Sequence, residues 1–448
     1  MQKQSNSKIT LTSIFVIGVA LRLFLFLINP PNNTYDDHLQ VINIYANTHQ
    51  VPTPSLCWEC YQPPLYYVLS ATVYNLAKVA SANSFIAWKF VQLINTVFSI
   101  LVLVVALKIL NRLNLSNTKM GLYFSFIAFL PVDIFTSSMI GNDYMLVFSA
   151  IVSFYFFHNI IEDLISKNII KKSTFIYLSI FVAIGCLSKQ HGLILLIFPS
   201  CIFTLLILFK VPKTYSFFLP ILIIAIAASF SNELVKYRVT EKFLVSNQDF
   251  FNYAKGQFPG SVKDVEFTTL RINSLFREPF MSERTAASFP TELFARTFFD
   301  YEWRFLSPKI VYANFIGRIG YGIGILWLFY LTFILLMFLK SKSINNDNIG
   351  KLAYIIPMLV GVLFLLVPFI QTLRFPFFSS MKSTFALPGI LILLLIHAYS
   401  TREINLLQGV IKLITCMNIL YGIVLIYAIY LFLPHTEHHL SGPLWPIP

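Results

Sequence analysis

Residues 11–28, LTSIFVIGVALRLFLFLI, are long enough and apolar enough to span a bilayer, and comparable runs recur along the chain. A helix needs about 20 mostly apolar residues to cross roughly 30 Å of hydrocarbon. Inside lipid the backbone must satisfy its own hydrogen bonds, so such runs fold as helices. The length rule gives about eleven spans: 11–28, 86–108, 119–137, 143–161, 173–188, 191–210, 214–232, 313–339, 351–371, 383–399 and 406–433. The chain is 56% hydrophobic and 12% charged over 448 residues, which excludes a soluble domain of ordinary composition. No signal-peptidase pattern follows the first run, so an uncleaved span is expected there. The fold class is therefore all-α and polytopic in a membrane.

The net charge of +13 would suit a nucleic acid, but the basic residues fall largely in short connections between runs, which is the positive-inside pattern. Lys3 and Lys8, then Lys108, Arg112 and Lys119, then Lys167, Lys171 and Lys172, then Lys210 and Lys213, then Lys340, Lys342 and Lys351 share the cytoplasmic side only if residues 63–77 are not a span. That segment, PPLYYVLSATVYNLA, is expected as a helix lying at the outer interface. Pro63 and Pro64 suit a helix start, and Tyr66, Tyr67 and Tyr74 suit the headgroup zone. The N-terminus is then cytoplasmic and the C-terminus extracytoplasmic. The expected organisation is a membrane module over 1–232 with an outer loop at 29–84, an extracytoplasmic insert at 233–312, further spans over 313–433 and an outer tail at 434–448. The insert mixes charge with aromatics (FFDYEWRF, 298–305), which points to a folded cap rather than a linker.

Polar residues gather where the spans emerge on the outer side. Asp36, Asp37 and His38 follow the first span, and Asp133, Asn142 and Asp143 join the third to the fourth. Lys189, Gln190 and His191 join the fifth to the sixth, and Arg374 and Lys382 join the ninth to the tenth. Any one of them is explained by loops being polar; four connections together read as a pocket. Carboxylates come from the early connections and cations from the later ones, which suits a base at one end and anion stabilisation at the other. Asp37 has a second reading as the cap of a helix beginning near Leu39. Arg22, in the outer half of the first span, should face the interior and pair with an acid such as Asp36, or else meet a phosphate. Cys57 and Cys60 are open to a disulfide or to a zinc site with His38 or His49, and the tail's His435, His438 and His439 to a metal or to solvent.

The acidic pair after the first span, QPPLYY at 62–67, Asn142–Asp143 before the fourth span, Ser188–Lys189 ending the fifth, and Lys382 followed by FALPG together resemble the GT-C superfamily of membrane glycosyltransferases. The nearest likeness is to the branch that holds protein O-mannosyltransferases and the lipid A aminoarabinose transferase. It covers residues 1 to about 400 in motif order, and rests on order and sidedness rather than on one motif. The resemblance implies a GT-C-type bundle with extracytoplasmic juxtamembrane helices. It also implies transfer of a sugar from a polyprenyl-phosphate carrier to a lipid, glycan or protein acceptor. Asp36 is then the catalytic base with Asp37 its neighbour, Asp143 the second acid, and Lys189, Arg374 and Lys382 the cations for the carrier phosphate. His38, Gln62, Tyr66, Asn142, Gln190 and His191 are the further candidates for substrate contact. Gln62 stands where the aminoarabinose branch has Lys, and Asp-Asp replaces its usual Asp-Glu. No cofactor is expected: oligosaccharyltransferases of the superfamily use a divalent ion, the nearer branch generally does not.

The residues fit that chemistry. A hydroxyl is a poor nucleophile at neutral pH and needs a carboxylate to take its proton, whereas a phosphate leaves as a stable anion and needs only cations. A transporter or flippase is the rival reading, although transporters place charges near the midplane and often carry repeats, which this sequence lacks. A noncatalytic scaffold would tolerate loss of both aspartates. Richness in Ile, Asn and Lys suggests an AT-rich bacterial genome and hence the inner membrane, with the endoplasmic reticulum as the alternative.

Overall fold

The computed structural model describes residues 2–81, 83–166, 171–208, 215–251, 265–340, 348–376, 380–402, 404 and 408–433. Lys167, Lys210, Lys213, Lys342, residues 252–264 of the insert and the tail with His435, His438 and His439 lie outside them. The described residues form helices and turns. The first half runs α1 (Gln2–Ile28), α2 (His38–Thr48), α3 (Leu65–Ala80), α4 (Ser84–Arg112), α5 (Asn117–Phe129), α6 (Pro131–Ser137), α7 (Asp143–Ile165), α8 (Lys172–Ser188), a 3-10 turn (Gln190–Leu196) and α9 (Ile197–Leu208). The second half runs α10 (Tyr215–Thr240), the short α11 (Val265–Thr268), α12 (Ile272–Arg277), α13 (Glu283–Ala286) and α14 (Phe289–Phe298), then α15 (Val311–Lys340), α16 (Asn348–Arg374), α17 (Ser383–Ser400) and α18 (Gln408–Phe432).

Among the described residues nine helices are long and apolar enough to cross a membrane, or ten if the bent pair α5–α6 counts as one span, against the sequence expectation of about eleven; the expected span at 173–188 is the shorter apolar helix α8. The chain is an integral, multi-pass membrane protein. Two spans are unlike the rest: α7 and α17 have 72% of their apolar window buried, against 22–44% for the other seven long spans. They form the centre of the bundle, and the remaining spans show apolar side chains outward as a lipid-facing surface requires. Close crossing of α16 and α17 depends on glycine, because a Cβ on Gly389 would lie 2.4 Å from the Gly361 carbonyl oxygen.

The third span corrects the sequence reading of one continuous helix over 119–137. Pro131 has no N–H to donate, Leu130 is extended at ψ 118°, and the axis turns by 48° between α5 and α6. Arg22 fills the break. Its guanidinium donates to the Ala128 carbonyl at 2.7 Å and the Gly18 carbonyl at 3.0 Å and pairs with Asp133, which also accepts from the Tyr144 hydroxyl. Arg22 and Asp133 are fully buried. The expected internal pairing of Arg22 is therefore made with Asp133 rather than Asp36, because the bend carries Asp133 beneath the first span.

Lysines close two other helix ends. Lys89 donates to the carbonyls of Phe26 and Asn29 at 2.5 and 2.7 Å, where the end of α1 runs out of backbone donors. Lys119 does the same for α17 through the Thr401 carbonyl at 2.6 Å. The amphipathic α3 is a separate helix packed on α2 and α4, with Leu76 and Val79 exposed. Helix α10 continues to Thr240, eight residues past the expected span end at 232, because Glu233 and Lys236 pair along it and stay buried. The described part of the insert is folded. Glu292 accepts from Arg296 at 2.6 Å and from the Tyr301 hydroxyl at 2.6 Å, and Glu302 joins Arg296 to Arg304.

Candidate active site

The two central helices begin at the same end of the bundle, and each starts with a charged pair. Asp143 is the first residue of α7, where the helix dipole favours a carboxylate, and it accepts from Lys189 Nζ at 2.5 Å. Lys189 caps the C-terminal end of α8, where a cation is favoured. Lys382 caps the start of α17 and bonds Asp36, which the chain reaches after leaving α1. Both pairs are largely buried, with 3% and 7% side-chain exposure for Lys189 and Asp143 and 8% and 14% for Lys382 and Asp36. The Phe385 ring lies under both ammonium groups, 4.4 Å from Lys189 and 5.9 Å from Lys382.

His38 stands between the pairs. Its Nδ1 meets the Tyr67 hydroxyl at 2.8 Å, and its ring packs on Gly141, where a Cβ would come 3.1 Å from the imidazole. Burial lowers His38 to about 4, with Asp36 and Asp143 pulling up and Lys189 and Lys382 pulling down, so the ring is neutral at physiological pH. Burial would raise Asp36, but the Lys382 ammonium and then His38 outweigh it and hold the carboxyl at about 2. The fold that brings Lys189 to Asp143 needs glycine at 192: a Cβ there would lie 2.2 Å from the Gly185 carbonyl oxygen as the 3-10 turn folds back on α8.

Other sequence-derived candidates divide. Tyr66 accepts from the Gly141 amide at 3.0 Å and shapes the turn before α7. Asn142 donates to the Ser188 carbonyl at 3.0 Å, tying the start of α7 to the end of α8. Gln62 donates to Glu59 at 3.1 Å and to the Tyr61 hydroxyl at 2.7 Å. His191 packs on Phe385 at 5.6 Å between ring centroids. Asp37 is exposed, occupies the N-cap position of α2 and makes no side-chain cap bond. Gln190 turns to Glu233 and the Val245 carbonyl, at 3.2 and 3.4 Å. Arg374, 45% exposed, forks onto both oxygens of Asp249 at 3.1 Å and so fastens the segment after α10 to the end of α16. Asp133 sits under Arg22, away from these pairs.

Among the described residues, buried polar atoms without a partner at this end include His191 Nε2, Asn142 Oδ1, Gln62 Oε1 and Thr384 Oγ1, with Gln92 Oε1 and Asn95 Oδ1 behind the turn before α7. Unpaired buried groups are costly, so such a cluster marks where a polar ligand completes the structure. A narrow cavity lies beside Lys382 and Thr384, walled by Tyr35 and by Arg296, Asp300 and Glu302 of the insert.

No family model matches the sequence, and no curated protein matches it. Among solved structures the chain is similar to ArnT from Cupriavidus metallidurans bound to undecaprenyl phosphate. That likeness has 12% identity, a TM-score of 0.37, and covers 86% of this chain and 77% of that one. It is similar also to ArnT from Cupriavidus metallidurans in the apo state, with 12% identity, a TM-score of 0.34, and coverage of 87% and 78%.

Sequence reasoning passed over three groups. Glu59, 3% exposed, lies among the site charges, and burial, then the charge of Asp36, raises it to about 8. On α4, Gln92, Asn95 and Thr96 donate to the carbonyls of Ser138, Met139, Gly141 and Ser137 and hold the turn that carries Asn142 and Asp143. Their spacing on one face of an apolar helix was the available signal. Arg304 of the insert donates to the Thr34 carbonyl at 2.9 Å and covers the Tyr35 ring, so the insert pins the segment carrying Asp36. Cys57 and Cys60 form a disulfide with Cα atoms 5.0 Å apart, which takes both sulfurs from the zinc alternative.

Proposed function

We propose that this protein is a membrane glycosyltransferase. It moves a sugar from a polyprenyl-phosphate carrier to a hydroxyl of a lipid, glycan or protein acceptor at the extracytoplasmic face. The observation that carries the reading is the meeting of Asp36–Lys382 and Asp143–Lys189 around His38, at the one end of the bundle where both central helices begin. Lysines set against carboxylates are an anion site already occupied from within. An incoming phosphate competes for Lys382 and Lys189, and a lysine drawn off Asp36 removes the charge that holds this carboxyl at about 2. Donor binding thereby turns a quenched carboxylate into a usable base.

The step balances as a direct displacement. The acceptor oxygen forms a bond to the anomeric carbon while its proton passes to Asp36. The bond from that carbon to the phosphate oxygen breaks, and the carrier phosphate leaves as an anion held by Lys189 and Lys382. One displacement inverts the anomeric centre. Asp143 orients Lys189, and His38, neutral and bonded to Tyr67, fixes the spacing of the two pairs. The apolar bundle accommodates the prenyl chain, and the acids stand at its rim because the sugar does.

A transporter remains the second reading on one observation, the buried Arg22–Asp133 pair inside the spans. The two separate in one experiment. Mass analysis of envelope glycolipids and glycoproteins from cells with the gene, without it, and with Asp36→Asn should show one sugar-bearing product present only with the wild type. Vesicle flux of a lipid-linked sugar, with no such product in any strain, would favour transport.

A further inference from the structure

The Cys57–Cys60 disulfide closes a tight loop around Trp58 and Glu59, and Glu59 lies among the charges of the site without a part in the proposed displacement. Glu59 is 3% exposed, and its carboxyl group accepts a hydrogen bond from Gln62 Nε2 at 3.1 Å, an amide rather than a cation. A carboxylate out of water and without a bonded cation is strongly disfavoured, so the group keeps its proton. Burial, with the Asp36 charge second, raises it to about 8 against the pull of Lys382 and Lys189. At neutral pH Glu59 is therefore a carboxylic acid with an O–H to donate.

Gln62 supplies the complement. It is 8% exposed, spends its amide nitrogen on Glu59 and Tyr61, and leaves its carbonyl oxygen buried without a partner. A spare donor and a spare acceptor thus stand side by side among the groups that surround Asp36. The scaffold beneath them is stiff. The Cys60 amide donates to the Cys57 carbonyl and the Gln62 amide to the Glu59 carbonyl, each at 3.1 Å, and Trp58 packs on Phe251 at 5.7 Å.

We propose that Glu59 and Gln62 form a clamp for hydroxyl groups of the transferred sugar, presented to the site by the Cys57–Cys60 disulfide. The inference rests on the reading of phosphate-linked sugar transfer and adds which residues choose the sugar. A neutral donor beside a neutral acceptor matches adjacent hydroxyls, whereas the lysines match the phosphate. Loss of the clamp should show in recognition of the sugar and not in recognition of the carrier.

The test uses the full chain in nanodiscs and three probes: undecaprenyl phosphate, and undecaprenyl phosphate carrying glucose or mannose. The wild type should bind at least one sugar-bearing probe more tightly than the bare carrier. Glu59→Ala should cut that gain about tenfold, equivalent to about 1.4 kcal/mol, with affinity for the bare carrier unchanged. Glu59→Gln, which keeps a donor, should retain part of the gain, and Cys57→Ser with Cys60→Ser should lose it as Glu59→Ala does. An equal gain in wild type and Glu59→Ala, or no gain for either sugar in the wild type, overturns the clamp while leaving carrier binding intact. If the wild type fails to bind even the bare carrier, the transfer reading falls and the clamp falls with it.

Discussion

Asp36 and Lys382 neutralise each other across the rim of the bundle, and the chemistry proposed here begins when that contact is exchanged. Replacing Asp36 by Asn removes the base but leaves the lysines, so transfer should fall by about 10²–10⁴-fold, the usual contribution of a general base, with donor affinity kept or improved. Initial rates and donor binding measured on the same preparation check this; transfer by Asp36→Asn at the wild-type rate would contradict it. Glu59 gives a pH signature. The groups facing it are Asp36, Lys382, Lys189, Gln62, Tyr61 and Tyr67. Its carboxyl is raised from 4.5 to about 8, so the folded state holds a proton that the unfolded chain releases. The stability this proton supports is complete below 4.5 and is lost as pH rises toward 8. Asp300 titrates in the same sense, but its window closes at about 6. Thermal unfolding should therefore show a falling midpoint between about pH 6 and about pH 8, and Glu59→Gln should flatten that fall; an equal fall in both proteins would deny Glu59 the proton. Glu59 was not legible in the sequence because CWEC advertises its cysteines, and burial of the acid between them depends on α2, α3 and the disulfide together.

At the scale of single elements, the break between α5 and α6 decides where Asp133 goes. Arg22→Met would leave Asp133 buried without its cation, which typically costs about 3–5 kcal/mol, whereas Arg22→Met with Asp133→Leu should recover much of the loss. Unfolding midpoints in detergent test the pair; equal destabilisation by the single and double changes would show that the ion pair is not what holds the bend. Pro131 made the bend readable in principle, since proline inside a span removes a helix bond. The partner of Arg22 was not readable, because 111 residues separate it from Asp133 and only the bend brings them together. The 3-10 turn after α8 carries a second test. Gly192→Ala must push against the Gly185 carbonyl and shift Lys189, so transfer should drop while the protein still assembles, as size-exclusion profiles would report. Arg374 shows the limit of reading charge by position: it emerges near Lys382 in sequence but folds onto Asp249, a residue of the segment after α10.

For the whole molecule, the eleven apolar stretches were legible because crossing lipid imposes length and composition together. The pairing of the charged ends was legible only as a side of the membrane, not as contacts, since Asp36 and Lys382 are 346 residues apart. The positive-inside pattern predicts that this side faces outward. A membrane-impermeant maleimide should therefore label Asp37→Cys in intact cells and Asn114→Cys, in the connection from α4 to α5, only after permeabilisation, in a Cys416→Ser background; the reverse pattern would invert the orientation. The most direct measurement is transfer by the purified protein in liposomes, from a radiolabelled polyprenyl-phosphate sugar to an envelope extract, for wild type, Asp36→Asn and Lys382→Ala. Convergence of the two ion pairs on one phosphate-linked sugar predicts an inverted product from the wild type and almost none from either variant, with carrier affinity lost in Lys382→Ala alone. Transfer by both variants at wild-type rates, or no product and no carrier binding by the wild type, would contradict it.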